Sequence, residues 1–245
     1  MTKTILITGA SSGIGRETAE LFASKGWQVG ALARSADKLE DLSAGAEYIT
    51  PLVADVTDMN AVQEAFDTFT AKVGHLDVLF NNAGIFTKPG CIDEIAVEDW
   101  YASVNVNLHG MFLAARAAFG QMRAQNPQGG RIINNGSISA HVPREGSIAY
   151  TATKHAITGM TRTLSLDGRA FDIACGQIDI GNALTPMVQA MNDKIRAEDP
   201  NADLQESFAV ADAAEAVLHM ARLPLNANVQ FMTIMATKMP YIGRG

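Results

Sequence analysis

The stretch "TILITGASSGIGRE", residues 4–17, passes from a short apolar run directly into three glycines and a helical pattern. Gly9, Gly13 and Gly15 stand where the chain has to turn sharply between a predicted strand and a predicted helix. Because glycine lacks a Cβ atom, the backbone N–H groups of such a turn can approach a pyrophosphate, and the helix directs its positive end at the same place. The stretch therefore predicts a strand, turn and helix that bind a dinucleotide. We expect the turn to contact the cofactor through Gly9, Ser11, Ser12, Gly13, Ile14 and Gly15.

Three glycines alone are a weak signal, because many glycine-rich turns bind nothing. The context strengthens the prediction, since a strand precedes the turn and a helix follows it at the first crossover of the chain. The spacing is G-x-x-x-G-x-G, which differs from the common G-x-G-x-x-G pattern. It also lacks the Gly-Lys-Ser/Thr end of a Walker loop, so ATP chemistry is disfavoured.

The same alternation of short apolar runs and amphipathic segments continues to the end of the chain. This pattern indicates parallel strands with helices on both faces. We therefore predict an α/β fold, with a doubly wound parallel sheet of about seven strands in a single domain over residues 1–245. The predicted strands are 3–8, 28–33, 47–54, 76–80, 131–135, 171–175 and 229–235. The predicted helical segments are 14–25, 58–73, 98–124, 148–167 and 211–222.

The stretch 181–207 breaks this alternation with two prolines and many charges. Long irregular insertions in compact domains are often lids over active sites, and we predict a substrate lid here. A surface excursion without function is the alternative. Four apolar residues recur near helical spacing, so an amphipathic helix could close over the substrate, although such a stripe also suits plain packing. They are Leu184, Met187, Val188 and Met191.

Bulk properties exclude several classes of function. The net charge is −7 and no run of Lys or Arg occurs, so nucleic acids and anionic membranes are poor candidate partners. No apolar run approaches the ~18 residues of a membrane span, and the N-terminal apolar run ends at Gly9, too early for a signal peptide. Cys91 and Cys175 form no CxxC pair, which favours reduced thiols and a cytoplasmic location. The five histidines have no metal-ligand spacing, so we predict no metal site.

The end of the second predicted strand bears on the choice of dinucleotide. NAD-binding folds usually have an acidic residue there that holds the ribose 2′-hydroxyl. This chain reads "ALARS", with Ala33 followed by Arg34. A guanidinium can bind a 2′-phosphate through parallel hydrogen bonds, and Arg16 could add positive charge. We therefore predict NADP as the cofactor. If Arg34 is only a solvated cation, NAD remains the alternative.

Three motifs in order carry a resemblance to a known family. With "TGASSGIG" at 8–15, "NNAG" at 81–84 and "YTATK" at 150–154, the chain resembles a short-chain dehydrogenase/reductase of the compact type. The resemblance covers nearly the whole length. It implies a Rossmann-like fold, a nicotinamide cofactor and hydride transfer between that cofactor and a carbonyl or secondary alcohol.

The resemblance also implies roles for individual residues. Asp55 and Val56, in "ADVTD", would flank the adenine. The "NNAG" segment supports the central strands and passes near the adenine ribose, which makes its last three residues cofactor contacts. These are Asn82, Ala83 and Gly84.

The catalytic residues follow in the same way. "VNLHGMF" resembles the segment with the catalytic Asn, which is Asn107 rather than Asn105. The catalytic Ser ends the fifth strand, and its distance from Tyr150 selects Ser137 over Ser139. By resemblance, Ser137 hydrogen-bonds the substrate oxygen. Asn107 holds a water that connects Lys154 to solvent.

The chemistry of "YTATK" follows from its spacing. Tyr150 and Lys154, at i and i+4, lie on one helix face. A free phenol has a pKa of about 10, and a nearby ammonium favours the phenolate. Tyr150 is therefore the predicted general acid and base, with Lys154 tuning it and, by resemblance, holding the nicotinamide ribose. A chance surface pair is the alternative reading of these two residues alone.

Two histidines lie near these motifs. His155 points about 100° away from Lys154 around the helix, so we interpret it as structural. His141, shortly after Ser137, lines the substrate side or is a solvated loop residue.

The segment after the sixth strand departs from the family pattern, which has a Pro-Gly pair, an apolar residue and a Thr. Aligned on the predicted strand, Cys175 and Gly176 replace Pro-Gly, and the backbone of Ile178 takes the place that anchors the nicotinamide. We therefore include Gly176 and Ile178 among the expected cofactor contacts. Ile180 then stands where the Thr belongs, and Thr185 or Asn182 could replace its hydroxyl.

Two other functions remain as alternatives. A non-catalytic dinucleotide sensor or scaffold on this fold would typically lose the Tyr or the Lys, and this chain keeps both. A sugar-nucleotide epimerase or dehydratase would need a larger C-terminal region. The substrate is open between sterols, acyl chains, sugars and small ketones, in a pocket bounded by 85–95, 138–146 and the lid. Family members commonly pair helices 98–124 and 148–167 across a two-fold axis, which implies a homodimer or homotetramer.

Overall fold

A computed structural model describes residues 2–204 and 206–242. Its strands form one seven-stranded parallel sheet in the order β3-β2-β1-β4-β5-β6-β7. This confirms the predicted α/β fold with a Rossmann-like sheet. The strands are β1 Thr4–Thr8, β2 Gln28–Ala33, β3 Ile49–Val53, β4 Val78–Asn81, β5 Gly130–Asn135, β6 Ile173–Gly181 and β7 Phe231–Met235.

Helices connect the strands on both faces of the sheet. They are α1 Gly13–Ser24, α2 Ala36–Ser43, α3 Met59–Val73, α4 Val97–Val104, α5 Met111–Ala124, α6 Ile148–Asp167, α7 Pro186–Glu198 and α8 Val210–Arg222. The single helical segment predicted over 98–124 is divided, because a π-helical stretch over Asn105–Gly110 lies between α4 and α5. Such a π-helical turn changes the backbone hydrogen-bond register and is frequent at functional sites.

Two hydrophobic layers cover the sheet. On one face α1 and α8 pack over the strands, and the ring of Phe22 meets Trp27 edge-on with centroids 4.9 Å apart. On the other face the core includes Phe66 and Phe69 of α3 and Ala118 of α5. Strands buried on both faces explain why β1 and β4 read as continuous apolar runs rather than alternating ones.

The strand order reverses between β1 and β4, because the chain builds outward from β1 toward β3 and then from β4 toward β7. In doubly wound sheets, ligands bind in the crevice at the carboxyl ends of the strands at this reversal point. The fold therefore places the glycine turn after β1 at the natural ligand site.

The sixth strand is longer than predicted, and this corrects the sequence analysis. The predicted strand 171–175 is in fact Ile173–Gly181, paired with β5 and with β7. Gln177 and Asp179 are polar, yet both are fully buried in this strand. The strand can continue through them because Gln177 donates to Thr158 and to Asp179, and Asp179 accepts the Ser137 N–H.

Among the described residues, no helix is long and apolar enough to cross a membrane.

Candidate active site

A cavity of about 690 Å³ opens at the carboxyl ends of the strands, between the glycine turn and α7. It brings together residues from distant parts of the sequence, including most of the predicted site. The predicted residues that line it are Gly9, Ser11, Ser12, Gly13, Ile14, Arg34, Asp55, Val56, Asn82, Ala83, Gly84, Ser137, Tyr150 and Lys154.

The glycine turn is compact because backbone atoms of its glycines lie directly against other backbone atoms. Gly9 adopts a φ of 70°, and a Cβ atom there would lie 2.9 Å from the Cα of Ala83. Gly15 is buried behind the turn, outside the cavity lining, and a Cβ atom there would collide with the carbonyl oxygen of Gly9. These two positions therefore exclude any side chain, which keeps the turn close enough for its N–H groups to bind a phosphate.

Hydrogen bonds hold the turn against the "NNAG" segment. The Thr8 hydroxyl accepts the N–H groups of Asn82 and Ala83 at 2.9 and 3.0 Å. The Asn82 side chain donates in return to the Thr8 carbonyl at 2.9 Å. In the described part of the chain, no side chain caps the N-terminus of α1, which leaves its first N–H groups available to a ligand. Ser12, Gly13 and Ile14, where this helix begins, line the cavity.

The second region of the cavity lies at the end of β2. Arg34 is exposed there, and its Nη1 lies 3.6 Å from Oδ2 of Asp55. Burial raises the pKa of Asp55, but hydrogen bonds from the N–H and hydroxyl of Thr57 and the charge of Arg34 more than offset this and lower it below its ordinary value. Arg16 lies outside the cavity lining and contacts Glu20 at 2.9 Å and Asp41 at 2.8 Å. Its guanidinium is therefore paired with two carboxylates, whereas the sequence analysis considered it a further source of positive charge for the cofactor.

The third region holds three of the predicted catalytic residues. Lys154 is buried, donates to the Asn135 carbonyl at 2.8 Å, and has its Nζ 5.5 Å from the Tyr150 ring centroid. The Phe86 ring packs against Tyr150 with centroids 5.1 Å apart. Ser137 is buried at the end of β5, where its Oγ accepts the Ser139 N–H at 3.1 Å. Tyr150, Lys154 and Ser137 therefore all line the cavity that begins at the glycine turn.

Comparison with known proteins agrees with this geometry. The short chain dehydrogenase family model matches residues 3–196. FabG, a 3-oxoacyl-(acyl-carrier-protein) reductase of Thermotoga maritima, is 35% identical over 198 residues, 79% of each chain. The 3-ketoacyl-(acyl-carrier-protein) reductase of Brucella melitensis, complexed with NADH, aligns over 95% of this chain and 96% of its own with a TM-score of 0.85 and 26% identity. ElxO with NADP bound aligns over 96% and 97% with a TM-score of 0.85 and 28% identity.

The chain is a short-chain dehydrogenase. It is an NAD(P)-dependent oxidoreductase, as its relatives are named dehydrogenases and reductases. The similar structures carry NADH in one case and NADP in another, so the comparisons support a nicotinamide dinucleotide without choosing between the two. Within residues 2–204 and 206–242 no cluster of side chains could hold a metal ion.

Besides Gly15, two expected cofactor contacts of the dehydrogenase lie outside the cavity lining. Gly176 lies inside β6 with the Val229 carbonyl at the position of a Cβ atom, and Ile178 is fully buried opposite Asn135 of β5. The alignment on the predicted strand was wrong because β6 continues to Gly181. The backbone that reaches the cavity instead belongs to the residues just after β6.

Ile180 near the end of β6 and three residues after it, Asn182, Ala183 and Thr185, line the cavity of the dehydrogenase. The sequence analysis named Asn182 and Thr185 as candidates and missed Ala183. The hydroxyl of Thr185 caps α7 by accepting the Val188 N–H at 3.3 Å. A signal was present, because Thr185-Pro186 is a helix start with Pro at the first position. It marks where the strand-to-helix connection ends and thereby locates the end of β6.

Asn107 lies in the π-helical stretch and outside the cavity lining. Its Oδ1 accepts the Ile85 N–H at 2.7 Å, and its Nδ2 donates to the Ile85 carbonyl at 2.9 Å and to Ser103 at 3.2 Å. The side chain therefore holds the segment after β4 beside the cavity.

The two histidines differ in their contacts. His155 has its Nδ1 2.9 Å from the Thr151 carbonyl of its own helix, at the exposed surface. His141 has its Nε2 2.9 Å from Oδ2 of the buried Asp179, and it does not line the cavity. The expectation that His141 faces the substrate directly is therefore replaced by a contact with a buried carboxylate.

Proposed function

We propose that this short-chain dehydrogenase interconverts a carbonyl compound and a secondary alcohol with NADP(H). The observation that supports this most strongly is the wall formed by Ser137, Tyr150 and Lys154, in the same cavity as the glycine turn. A sensor without catalytic function would not need a buried ammonium beside a phenol at the cavity surface, since burying a charge is costly unless it has a use.

Each side chain on this wall has a role in the proposal. Tyr150 donates a proton to the carbonyl oxygen in reduction and removes the alcohol proton in oxidation. Lys154 favours the phenolate by its charge and binds the nicotinamide ribose. Ser137 donates a hydrogen bond to the substrate oxygen as negative charge develops there. NADPH, when bound, supplies the hydride.

Arg34 supports NADP as the cofactor. Its guanidinium lies at the rim of the cavity beyond Ala33, with no acidic residue at the end of β2 to hold a ribose hydroxyl. A 2′-phosphate placed beside Arg34 would also be near the carboxylate of Asp55, so the guanidinium has to turn from Asp55 toward the phosphate.

We propose that residues 181–207 form the substrate lid of a single domain over residues 1–245. Among the α7 residues that line the cavity, three have exposed apolar side chains. They are Met187, Met191 and Ile195. Apolar, flexible methionines suit an apolar substrate, and the similar reductases named above act on acyl chains.

We also propose that the dehydrogenase is a cytoplasmic homodimer or homotetramer with small molecules as its partners. Helices α4 to α6 expose large apolar side chains that a second copy could bury. They include Trp100, Tyr101, Phe112 and Leu166. Light scattering on the purified protein measures the state directly, and a monomer at micromolar concentration would contradict this part of the proposal.

The experiment that tests the proposed reaction uses a panel of ketones, aldehydes and secondary alcohols followed by NADPH absorbance. Tyr150→Phe keeps the ring and deletes the proton, so we expect kcat to fall by at least about 100-fold on any active substrate. Tyr48→Phe is the matched control, since this residue lies before β3 and outside the cavity. Near-normal turnover by Tyr150→Phe would overturn the assignment of the acid.

A further inference from the structure

Asp179 is a buried carboxylate that the proposed reaction does not yet use. It is fully buried in β6, and its hydrogen-bond partners come from three sides. Oδ1 accepts the Ser137 N–H at 2.9 Å and the Gln177 amide at 2.7 Å, and Oδ2 lies 2.9 Å from Nε2 of His141. A buried carboxylate with these partners is costly to maintain, which indicates a function beyond packing.

The position of Asp179 determines the backbone that carries Ser137. The ladder between β5 and β6 ends with the Gly136 N–H donating to the Ile178 carbonyl at 2.8 Å. The next N–H, that of Ser137, is bound by the Asp179 carboxylate instead of a strand carbonyl. The carboxylate therefore holds the Ser137 backbone at the point where the ladder ends.

Gly136 matches this arrangement. A Cβ atom at Gly136 would collide with Oδ1 of Asp179 and would lie 2.6 Å from Nε2 of Gln177. The carboxylate therefore occupies the space that a side chain at position 136 would take. Asp179 can take this position only because residue 136 has no side chain.

Two buried ionisable side chains bind the segment 135–137. Lys154 binds the Asn135 carbonyl, and Asp179 binds the Ser137 N–H. Gln177 and His141 also contact the Asp179 carboxylate, and Thr233 is the partner of Asp179 on β7. Asp179 therefore holds one end of the segment whose other end is held by Lys154.

We propose that Asp179 is a positioning residue for the reaction. Its carboxylate, in contact with His141, fixes the backbone of Ser137. The inference rests on the proposed role of Ser137. It adds that the Ser137 hydroxyl is aimed through its backbone.

Asp179→Asn separates the carboxylate charge from its hydrogen bonds. The amide oxygen can accept the same two hydrogen bonds, and the amide N–H₂ can donate to the His141 ring, so the geometry is kept while the charge is lost. Asp167→Asn, at the exposed end of α6, removes the same formal charge and is the control.

The positioning is tested without any substrate. We expect the Ser137 amide to exchange with solvent about 10-fold faster or more in Asp179→Ala than in the wild type, as measured by NMR. In Asp179→Asn, where the acceptor is kept, we expect protection close to that of the wild type. Turnover should fall in the same order, about 100-fold for Asp179→Ala and about 10-fold or less for Asp179→Asn.

The outcomes separate this inference from the proposed function. Equal exchange of the Ser137 amide in the wild type and Asp179→Ala would overturn the positioning. A wild-type protein that binds NADPH but turns over no carbonyl or alcohol would contradict the proposed function, while the exchange comparison would still decide the positioning.

Discussion

The glycine turn and helix α7 form opposite sides of one cavity but are built in different ways. At the turn, Gly9 and Gly15 lie against backbone atoms, and neither has room for a Cβ atom. Helix α7, all of which the structure describes, contains no buried residue and presents Met187 and Met191 to the cavity. One side is shaped by backbone contacts and the other by side chains.

This difference indicates which part of the cavity lining determines cofactor binding and which determines the choice of substrate. A pyrophosphate is the same in every dinucleotide, so its site can be made of backbone N–H groups, which do not depend on the chemistry of the side chains. Substrates vary, and exposed side chains on a helix can be exchanged without cost to the fold. The comparison predicts large effects at the turn, intermediate effects at the 2′-phosphate and small effects on stability at α7.

The largest effect is expected for Gly15→Ala. The new Cβ atom meets the Gly9 carbonyl, which the surrounding sheet holds in place, so we expect a loss of about 3 kcal/mol in the free energy of unfolding. NADPH binding should weaken as well, because the turn has to shift. Urea unfolding and NADPH fluorescence titration measure the two effects.

Gly120→Ala is the matched control for this change. Gly120 is exposed in α5 with no atom within 4 Å of a Cβ position, so the substitution should stabilise the helix by up to about 1 kcal/mol. If the two variants unfolded at the same urea concentration, the close contact at Gly15 would not constrain the turn.

The next effect concerns the choice of cofactor. Arg34→Ala removes the guanidinium that we expect to bind the 2′-phosphate, so kcat/KM with NADPH should fall about 10- to 100-fold and kcat/KM with NADH should change little. Arg16→Ala is the control, since Arg16 is bound to Glu20 and Asp41 away from the cavity. A wild-type enzyme that prefers NADH would contradict the NADP assignment before any variant is made.

A smaller effect is expected on the α7 side. Met191→Ala removes a largely exposed side chain, so unfolding should change by less than about 0.5 kcal/mol. The KM for an apolar substrate should rise about 3- to 10-fold, because part of the apolar wall is lost. Met59→Ala, at the exposed start of α3, should leave KM unchanged. An unaltered KM in Met191→Ala would show that α7 does not contact the substrate.

The smallest effect is expected at Asp55. Thr57→Val removes the hydroxyl that donates to Oδ1 of Asp55 at 2.8 Å, so the pKa of this carboxyl should rise toward its ordinary value of 3.8. A lowered folded-state pKa stabilises the protein above the unfolded value, and this stabilisation disappears as the pH falls through the folded value. Because the carboxyl is partly exposed, the difference at pH 7 should be below about 0.5 kcal/mol. Carboxyl NMR titration measures the shift, and no upward shift would contradict the role of Thr57.

The sequence predicted those parts of the site that depend on local geometry. The strand, turn and helix over residues 4–17 follow from apolar periodicity and glycine, and the pairing of Tyr150 with Lys154 follows from helical spacing. The end of β6 could not be predicted in the same way. Its polar residues look like a loop until one knows that Thr158 and His141, far away in sequence, satisfy them.

By itself the amino-acid sequence determined the fold class and the glycine turn, and it put Tyr150 and Lys154 on one helix face, because these follow from periodicity and from the spacing of near neighbours in the chain. Only the tertiary structure decided that Arg16 is taken up by carboxylates, that the cavity continues through Ala183 and Thr185, and that Asp179 lies behind Ser137. These facts depend on which distant segments meet, and a buried polar side chain shows its purpose only beside its partner.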